Sequence, residues 1–120
     1  MAYFFDSYAI IETIKDNPNY ENFKDQPIVT NALNISEVYY HILLNTGEST
    51  ANKMIESLDI QEIAISKDIS INAAKFRHKH KKAKLSYADC IGYISAKTYN
   101  LKFLTGDKEF EHLDNVEFVK

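Results

Sequence analysis

Long apolar runs are absent from this sequence of 120 residues. The longest runs, residues 8–11 and 42–44, are far shorter than the roughly 20 apolar residues that a membrane-spanning helix needs. The first residues, MAYFFD, lack the basic segment that opens a signal peptide. We therefore expect a cytoplasmic protein with no membrane segment and no secretion signal.

Cysteine, proline and glycine are also scarce. The single cysteine, Cys90, excludes an internal disulfide, which fits a reducing compartment. Only two prolines and three glycines are present, and no linker, repeat or low-complexity segment divides the chain. A chain of this length can bury a stable core without disulfide bonds or structural metal ions, so we expect one domain over residues 1–120.

The charged residues are unevenly distributed. The whole chain has 14 basic and 17 acidic residues, a net charge of −3. Residues 75–84 (KFRHKHKKAK) hold six of the basic residues and no acid, so the remainder has eight basic and 17 acidic residues, a net −9. Such a basic segment is typical either of a solvated helix face or of a surface that contacts phosphates.

The pattern of apolar residues alternates between strand-like and helix-like segments. Strands are predicted over residues 3–5, 27–30, 60–65, 101–104 and 116–119. Helices are predicted over residues 7–15, 33–44, 49–58, 69–82 and 86–99, with a helical turn over 108–113. This alternation predicts an α/β fold, a Rossmann-like parallel sheet sandwiched by helices. In such sheets ligands bind outside the carboxyl ends of the strands.

Four acidic residues are predicted to meet at that edge of the sheet. Asp6 closes the first strand, and Asp107 follows the fourth strand. Glu37 and Asp89 lie near the starts of helices that follow loops at the same edge. Each acid also has a plain structural interpretation as a helix cap, because acidic residues are common at helix starts. In particular, residues 34–37 and 86–89 have the spacing of a capping box.

A bound divalent cation would offset the repulsion among four converging carboxylates. Asp89 and Glu37 have apolar neighbours, and a carboxylate in such a setting is unfavourable unless it is paired or bound to a cation. Without a cation, some of the four would be forced to hold protons. Oxygen-only ligands favour Mg²⁺ or Mn²⁺ over zinc. Such an ion supports phosphodiester hydrolysis, with Ser7 and Thr105 as hydroxyls that support the ligands.

The segments that carry these acids resemble the four motifs of PIN domains, in order and over nearly the whole chain. They are residues 3–10 (YFFDSYAI), 34–40 (NISEVYY), 85–96 (LSYADCIGYISA) and 103–110 (FLTGDKEF). The resemblance implies a four-acid Mg²⁺ or Mn²⁺ site in an endonuclease that cuts single-stranded or structured RNA. At this size the chain is similar to VapC toxins of type II toxin–antitoxin pairs. That similarity implies a homodimer inhibited by a small antitoxin protein.

Two features affect how the family pattern applies. VapC-type chains often have an arginine near the acids, whereas the only arginine here is Arg77, in the basic segment. Glu109 follows Asp107 closely, and we favour Asp107 as the fourth acid because it directly follows the Thr-Gly turn.

The basic segment leads into the helix of Asp89, so it is predicted to contact RNA. Its candidate residues are Lys75, Arg77, Lys79, Lys81, Lys82 and Lys84.

Two non-catalytic alternatives remain open on the sequence alone. A phospho-acceptor receiver domain also has acids at strand ends, and Asp68, after the third strand, would be its acceptor. A catalytically inactive PIN-like protein could instead be a scaffold that binds RNA or protein. Residues 20–23 and 49–58 are candidates for contacts with an antitoxin or a second subunit, or for packing in the core.

Overall fold

A computed structural model describes residues 2–120. Five strands form the centre: β1 Tyr3–Phe5, β2 Ile28–Thr30, β3 Ile60–Glu62, β4 Lys102–Thr105 and β5 Val116–Phe118. Five α-helices connect them: α1 Ser7–Ile14, α2 Ala32–Thr46, α3 Glu48–Ser57, α4 Lys67–Lys79 and α5 Tyr87–Thr98. Two 3₁₀ helices span Pro18–Phe23 and Lys108–Phe110. Among residues 2–120, no helix has the length and apolar content needed to cross a membrane.

The strands form one parallel sheet in the order β3-β2-β1-β4-β5. The predicted parallel α/β fold is therefore confirmed. β1 lies in the centre, and the strand order reverses between β1 and β4. In open α/β sheets, the crevice beyond the carboxyl ends of the strands at such a reversal is where ligands bind.

Both faces of the sheet are buried, which accounts for the apolar character of its short strands. Phe5 in β1 and Leu104 in β4 pack on the face covered by α1, α2 and α3. Phe4 and Phe103 point to the opposite face, where they stack with ring centroids 5.8 Å apart under α5. Gly92 allows α5 to lie close to them, because a Cβ there would be 3.2 Å from Phe4 and 3.3 Å from Phe103.

The strand order excludes the receiver-like alternative. Receiver domains have the order 2-1-3-4-5, with the third strand next to the first. Here β3 is the outer strand, two strands away from β1. Asp68, the proposed acceptor, is exposed in the first turn of α4.

The structure corrects several predictions of local structure. α4 was predicted over residues 69–82, but its N-cap is Ser66 and it ends at Lys79, so the second half of the basic segment is a turn and loop. The 3₁₀ helix Pro18–Phe23 was not predicted. Its Tyr20 is fully buried, and Met54 and Ile55 of α3 pack on the same core. Those positions therefore belong to the core rather than to a free interaction surface.

Candidate active site

Asp6 lies at the point where the central strand ends. Its side chain is 4% exposed, and Oδ2 accepts a hydrogen bond from Thr105 Oγ1 at 2.8 Å. Asn34 Nδ2 donates to Oδ1 at 3.3 Å. Asp6 occupies the N-cap position of α1, yet its side chain makes no capping hydrogen bond. Asp6 is therefore the N-cap of α1 by position, as the structural interpretation expected, but its side chain does not cap the helix.

The environment of Asp6 opposes a negative charge. Burial raises the pKa of this carboxyl from 3.8 to about 7, in spite of the hydrogen bond from Thr105. The nearby carboxylates of Asp89 and Glu37 raise it further. A bound cation would remove this penalty, because an opposite charge favours the ionised form.

Glu37 is held by a chain of hydrogen bonds that begins at Asn34. Asn34 Nδ2 donates to Ser7 Oγ at 2.8 Å, and Ser7 Oγ donates to Glu37 Oε1 at 2.6 Å. Asn34 was expected to cap α2, but the N-cap is Asn31, whose side chain accepts from Asn34 N. Helix α2 begins at Ala32, one residue before its predicted start, so Asn34 lies inside the first turn and its side chain is free to turn toward the acids.

Asp89 caps α5 and also lines the cavity that the other predicted acids line. Its Oδ2 accepts from Ser86 N at 2.9 Å, and Ser86 Oγ accepts from Asp89 N at 3.1 Å, so the predicted capping box forms. The open cavity that all four predicted acids share is called the acid cavity below. Burial raises the pKa of Asp89, the hydrogen bonds from Ser86 lower it, and the charges of Asp107 and Glu37 raise it.

Asp107 follows β4 and caps the short 3₁₀ helix after it. Its Oδ1 accepts from Glu109 N at 3.0 Å, and its own N–H donates to Thr105 Oγ1 at 3.1 Å. Thr105 therefore links the backbone of Asp107 to the carboxylate of Asp6. Asp107 lines the acid cavity, whereas Glu109 is exposed outside it.

All four predicted acids line one open cavity of about 510 Å³. Its walls are Asp6, Ser7, Tyr8, Glu37, Asp89, Gly106, Asp107, Lys108 and Lys120. Two lysines, Lys108 and Lys120, were missed by sequence reasoning. Lys108 adjoins Asp107 and could have been considered, but no local signal connects Lys120 with this cavity.

The last residues of the chain reach the cavity through long-range packing. The Tyr20 hydroxyl donates to the Val119 carbonyl, and Asn19 Nδ2 donates to the Lys120 carbonyl at 3.1 Å. Gly106 makes this approach possible, because a Cβ there would lie 2.5 Å from the Val119 oxygen and would overlap the Tyr8 ring.

The donor chemistry of the cavity suits a hard divalent cation, because every acidic ligand offers carboxylate oxygen. Among residues 2–120, no three His, Cys, Asp or Glu side chains are grouped as tightly as a formed metal site requires. The hydrogen bonds described above use one carboxylate oxygen of Glu37, Asp89 and Asp107. The other oxygen of each accepts no hydrogen bond from residues 2–120.

The structure separates the six candidate RNA-contacting residues into two groups. Arg77, Lys81 and Lys84 line a second cavity of about 650 Å³ between the end of α4 and the start of α5. The other three are exposed and do not line this cavity; they are Lys75, Lys79 and Lys82.

Comparison with solved structures gives close matches of fold at low sequence identity. A toxin–antitoxin complex from Klebsiella pneumoniae matches with a TM-score of 0.76 and 19% identity, covering 97% of this chain and 96% of that chain. VapC20 of Mycobacterium tuberculosis, described as a Sarcin-Ricin loop cleaving toxin, matches with a TM-score of 0.78 and 13% identity. That match covers 99% of this chain and 100% of VapC20.

A third structure, VapBC2 from Rickettsia felis bound to a DNA fragment from its promoter, matches with a TM-score of 0.76 and 17% identity. It covers the full length of both chains. No curated protein matches the sequence. The family model described as "PIN domain" matches residues 3–116, which include all four acids and both strands that border the crevice. The chain belongs to the PIN-domain family.

Proposed function

We propose that this protein is an endoribonuclease that depends on Mg²⁺ or Mn²⁺ and hydrolyses phosphodiester bonds of single-stranded or structured RNA. The observation that carries the proposal is the buried Asp6 carboxyl, whose pKa is raised to about 7 in a cavity shared with three more acids. In such an arrangement the ionised form of Asp6 is unfavourable, and a bound cation would stabilise it. Perturbed acids in a cleft are a recognised mark of a functional site.

The four acids would hold the ion, and the polar residues around them fix their positions. Thr105 and Asn34 hold Asp6, Ser7 holds Glu37, and Ser86 holds Asp89. When bound, a divalent ion supplies a water of lowered pKa and neutralises charge on a phosphoryl oxygen. Asp107 is suited to orient the attacking water, because one of its oxygens is free at the cavity wall.

The protein also needs positive charge to hold a polyanion beside an acidic cavity. Lys108 and Lys120 line the cavity itself, and the basic segment 75–84 lies directly before Ser86 and α5. These cations would contact phosphates on either side of the scissile bond. They would take the place of the arginine that VapC-type chains often have near their acids.

We further propose that the protein is the toxin of a VapBC-type pair, a homodimer in the cytoplasm that a small antitoxin inhibits. Support comes from three matched structures, two of which are described as toxin–antitoxin or VapBC assemblies and one as a VapC toxin. The matches extend over at least 96% of each chain. Co-purification with the product of an adjacent small reading frame would test the partner.

The catalytic proposal is tested by cleavage of a labelled single-stranded RNA by the purified protein. We expect EDTA to abolish cleavage and Mg²⁺ or Mn²⁺ to restore it. Asp6→Asn should lower the rate of cleavage by about 100-fold or more. The exposed control Asp25→Asn should cleave at the wild-type rate. Full activity of Asp6→Asn would show that the mechanism is wrong.

A metal titration separates this proposal from an inactive PIN-like scaffold. Calorimetry with Mn²⁺ should show saturable binding by wild type and much weaker binding by Glu37→Gln. If wild type has no affinity for Mn²⁺ or Mg²⁺, the scaffold interpretation would replace the enzyme.

A further inference from the structure

A second, larger cavity lies beside the acid cavity and shares none of its residues. It has a volume of about 650 Å³ and lies between the last turn of α4 and the first turn of α5. Its lining combines an aromatic ring, Tyr87, with cations from the end of α4 and from the loop that follows it, namely Arg77, Lys81 and Lys84. The proposed hydrolysis assigns no role to Tyr87.

Arg77 and Tyr87 form a preorganised flat surface in this cavity. Arg77 Nε donates to the Leu85 carbonyl at 3.1 Å, which fixes the plane of the guanidinium group. The guanidinium carbon lies 4.3 Å from the centroid of the Tyr87 ring. Tyr87 nevertheless remains 63% exposed, so much of its surface is available to another planar group. Arginine planes and aromatic rings are the groups on which proteins stack unpaired bases.

The cations around this surface have no acidic partner among residues 2–120. The four salt bridges among residues 2–120 involve Lys15, Lys24 and Lys97, and none involves the basic segment. Six like charges are therefore concentrated over ten residues without compensation. An approaching phosphate would relieve this repulsion and release bound counterions.

The position of this cavity connects it with the acids. Ser86 lines the cavity and also caps α5 through its capping box with Asp89. Tyr87 and Asp89 are two residues apart in the first turn of α5, about 3 Å along the helix axis and about 200° around it, so their side chains leave the helix in different directions. A strand whose phosphate lies at the acids would therefore cross the first turn of α5 to place a neighbouring nucleotide on this surface.

We propose that the Arg77–Tyr87 cavity is a subsite for one nucleotide of single-stranded RNA next to the scissile phosphate. The base stacks on the Tyr87–Arg77 surface, and the adjoining phosphates lie near Lys81 and Lys84. This subsite rests on the proposed ribonuclease function. Because every base has a stacking face, it selects unpaired strands over duplexes and discriminates little among the four bases.

The test measures RNA binding without cleavage. A fluorescently labelled single-stranded RNA of about ten nucleotides, within the range that single-strand binding sites span, is titrated with protein in EDTA, and anisotropy gives Kd. Tyr87→Ala should weaken binding by about 5- to 150-fold. Tyr87→Phe should bind like wild type, because the ring remains. Tyr40→Ala is the matched control, since Tyr40 is 62% exposed on α2 and lies outside both cavities.

The possible results are distinguishable from those of the cleavage assay. Binding by Tyr87→Ala that equals wild type, or an equal loss in Tyr40→Ala, overturns the subsite. Equal affinity of wild type for a duplex of the same length also overturns it, since stacked bases in a duplex cannot reach Tyr87. If wild type binds no RNA in EDTA, the subsite is likewise wrong. A protein that passes this test but does not cleave RNA with Mn²⁺ disproves only the proposed enzymatic function.

Discussion

Asp6 occupies a position that is unfavourable for folding and useful for binding. The carboxyl lies among buried groups at the end of the central strand, and within the described part of the chain, residues 2–120, only the side chains of Thr105 and Asn34 donate hydrogen bonds to it. If this position were selected for stability alone, we would expect an uncharged side chain here. The raised pKa of Asp6 therefore links folding to protonation and, in the proposed function, to cation binding.

This linkage predicts how stability depends on pH. The pKa of Asp6 is about 7 in the folded protein and near 3.8 when unfolded, so the folded state holds the proton more tightly. The resulting stability is fully present below about pH 4 and is lost as the pH rises through about 7. At 1.36 kcal/mol per pKa unit, the loss approaches about 4 kcal/mol.

Asp6→Asn should escape this loss. Denaturant unfolding in EDTA, from pH 4 to pH 8, should show wild type falling below Asp6→Asn as the pH rises, whereas Asp25→Asn should follow wild type. A difference between wild type and Asp6→Asn that does not change with pH would contradict the assigned environment of Asp6.

Asn34 provides a second prediction at this scale. Its amide contacts both Asp6 and Ser7, so Asn34→Ala should release two of the groups that hold the acids. Loss of such a supporting contact lowers metal affinity by about 10- to 100-fold. Calorimetry with Mn²⁺ measures the effect, and the exposed Asn22→Ala is the control. Unchanged affinity in folded Asn34→Ala would contradict the supporting role.

The sequence was most informative about residues whose position follows from a strand end. Asp6 directly follows the first predicted strand and Asp107 follows the fourth after a Thr-Gly turn, and parallel strands bring their carboxyl ends together. Asn34 could not be identified in the same way, because its local spacing fits a helix cap equally well. The position of Lys120 depends on hydrogen bonds from Asn19 to its own carbonyl and from Tyr20 to the carbonyl of Val119, about a hundred residues away along the chain. Local patterns do not encode such contacts.

At the scale of elements, the starts of α4 and α5 offer a matched comparison. Ser66 caps α4 and Ser86 caps α5, each accepting from a backbone N–H at 3.1 Å. Replacing either by Ala should reduce stability by about 1 kcal/mol. Only Ser86 also positions a carboxylate of the acid cavity, through its contact with Asp89.

We therefore expect Ser86→Ala to reduce RNA cleavage several-fold more than Ser66→Ala, at similar losses of unfolding free energy. Thermal unfolding and single-turnover cleavage of both variants measure the two effects separately. Equal activities of the two variants would show that the α5 cap serves stability alone.

Helix and strand periodicity predicted the existence of nearly every element but not all of the ends. The basic residues of α4 suggested a helix to residue 82, yet the helix ends at Lys79 and His80 stacks on Phe76 at 4.2 Å between ring centroids. The 3₁₀ helix Pro18–Phe23 depends on the burial of Tyr20 under the last residues of the chain. At the 3₁₀ helix, tertiary packing rather than local preference sets the backbone.

Across the whole molecule, charge is separated between an acidic body and one basic segment. Residues 75–84 lie beside the acid cavity, so the protein presents a cationic approach to an anionic pocket. For single-stranded nucleic acid, each phosphate contact contributes about −0.7 to the slope of log K against log salt concentration.

Replacing both Lys81 and Lys84 with Gln should therefore reduce the magnitude of that slope by about 1.4. The control pair Lys53→Gln and Lys67→Gln removes the same charge from exposed sites on α3 and at the start of α4. Anisotropy titrations in EDTA over a range of salt concentrations give both slopes. Identical slopes for the two pairs would mean that only net charge matters.

We propose above all that the crevice between β1 and β4 contains one site for a divalent cation, formed by Asp6, Glu37, Asp89 and Asp107. Crystals soaked with Mn²⁺ and measured for anomalous scattering test this claim directly. We predict a strong anomalous peak in contact with Asp6 and its neighbouring carboxylates, and no such peak in Asp6→Asn crystals treated in the same way. A wild-type crystal with manganese elsewhere on the surface and none in this crevice would contradict the account.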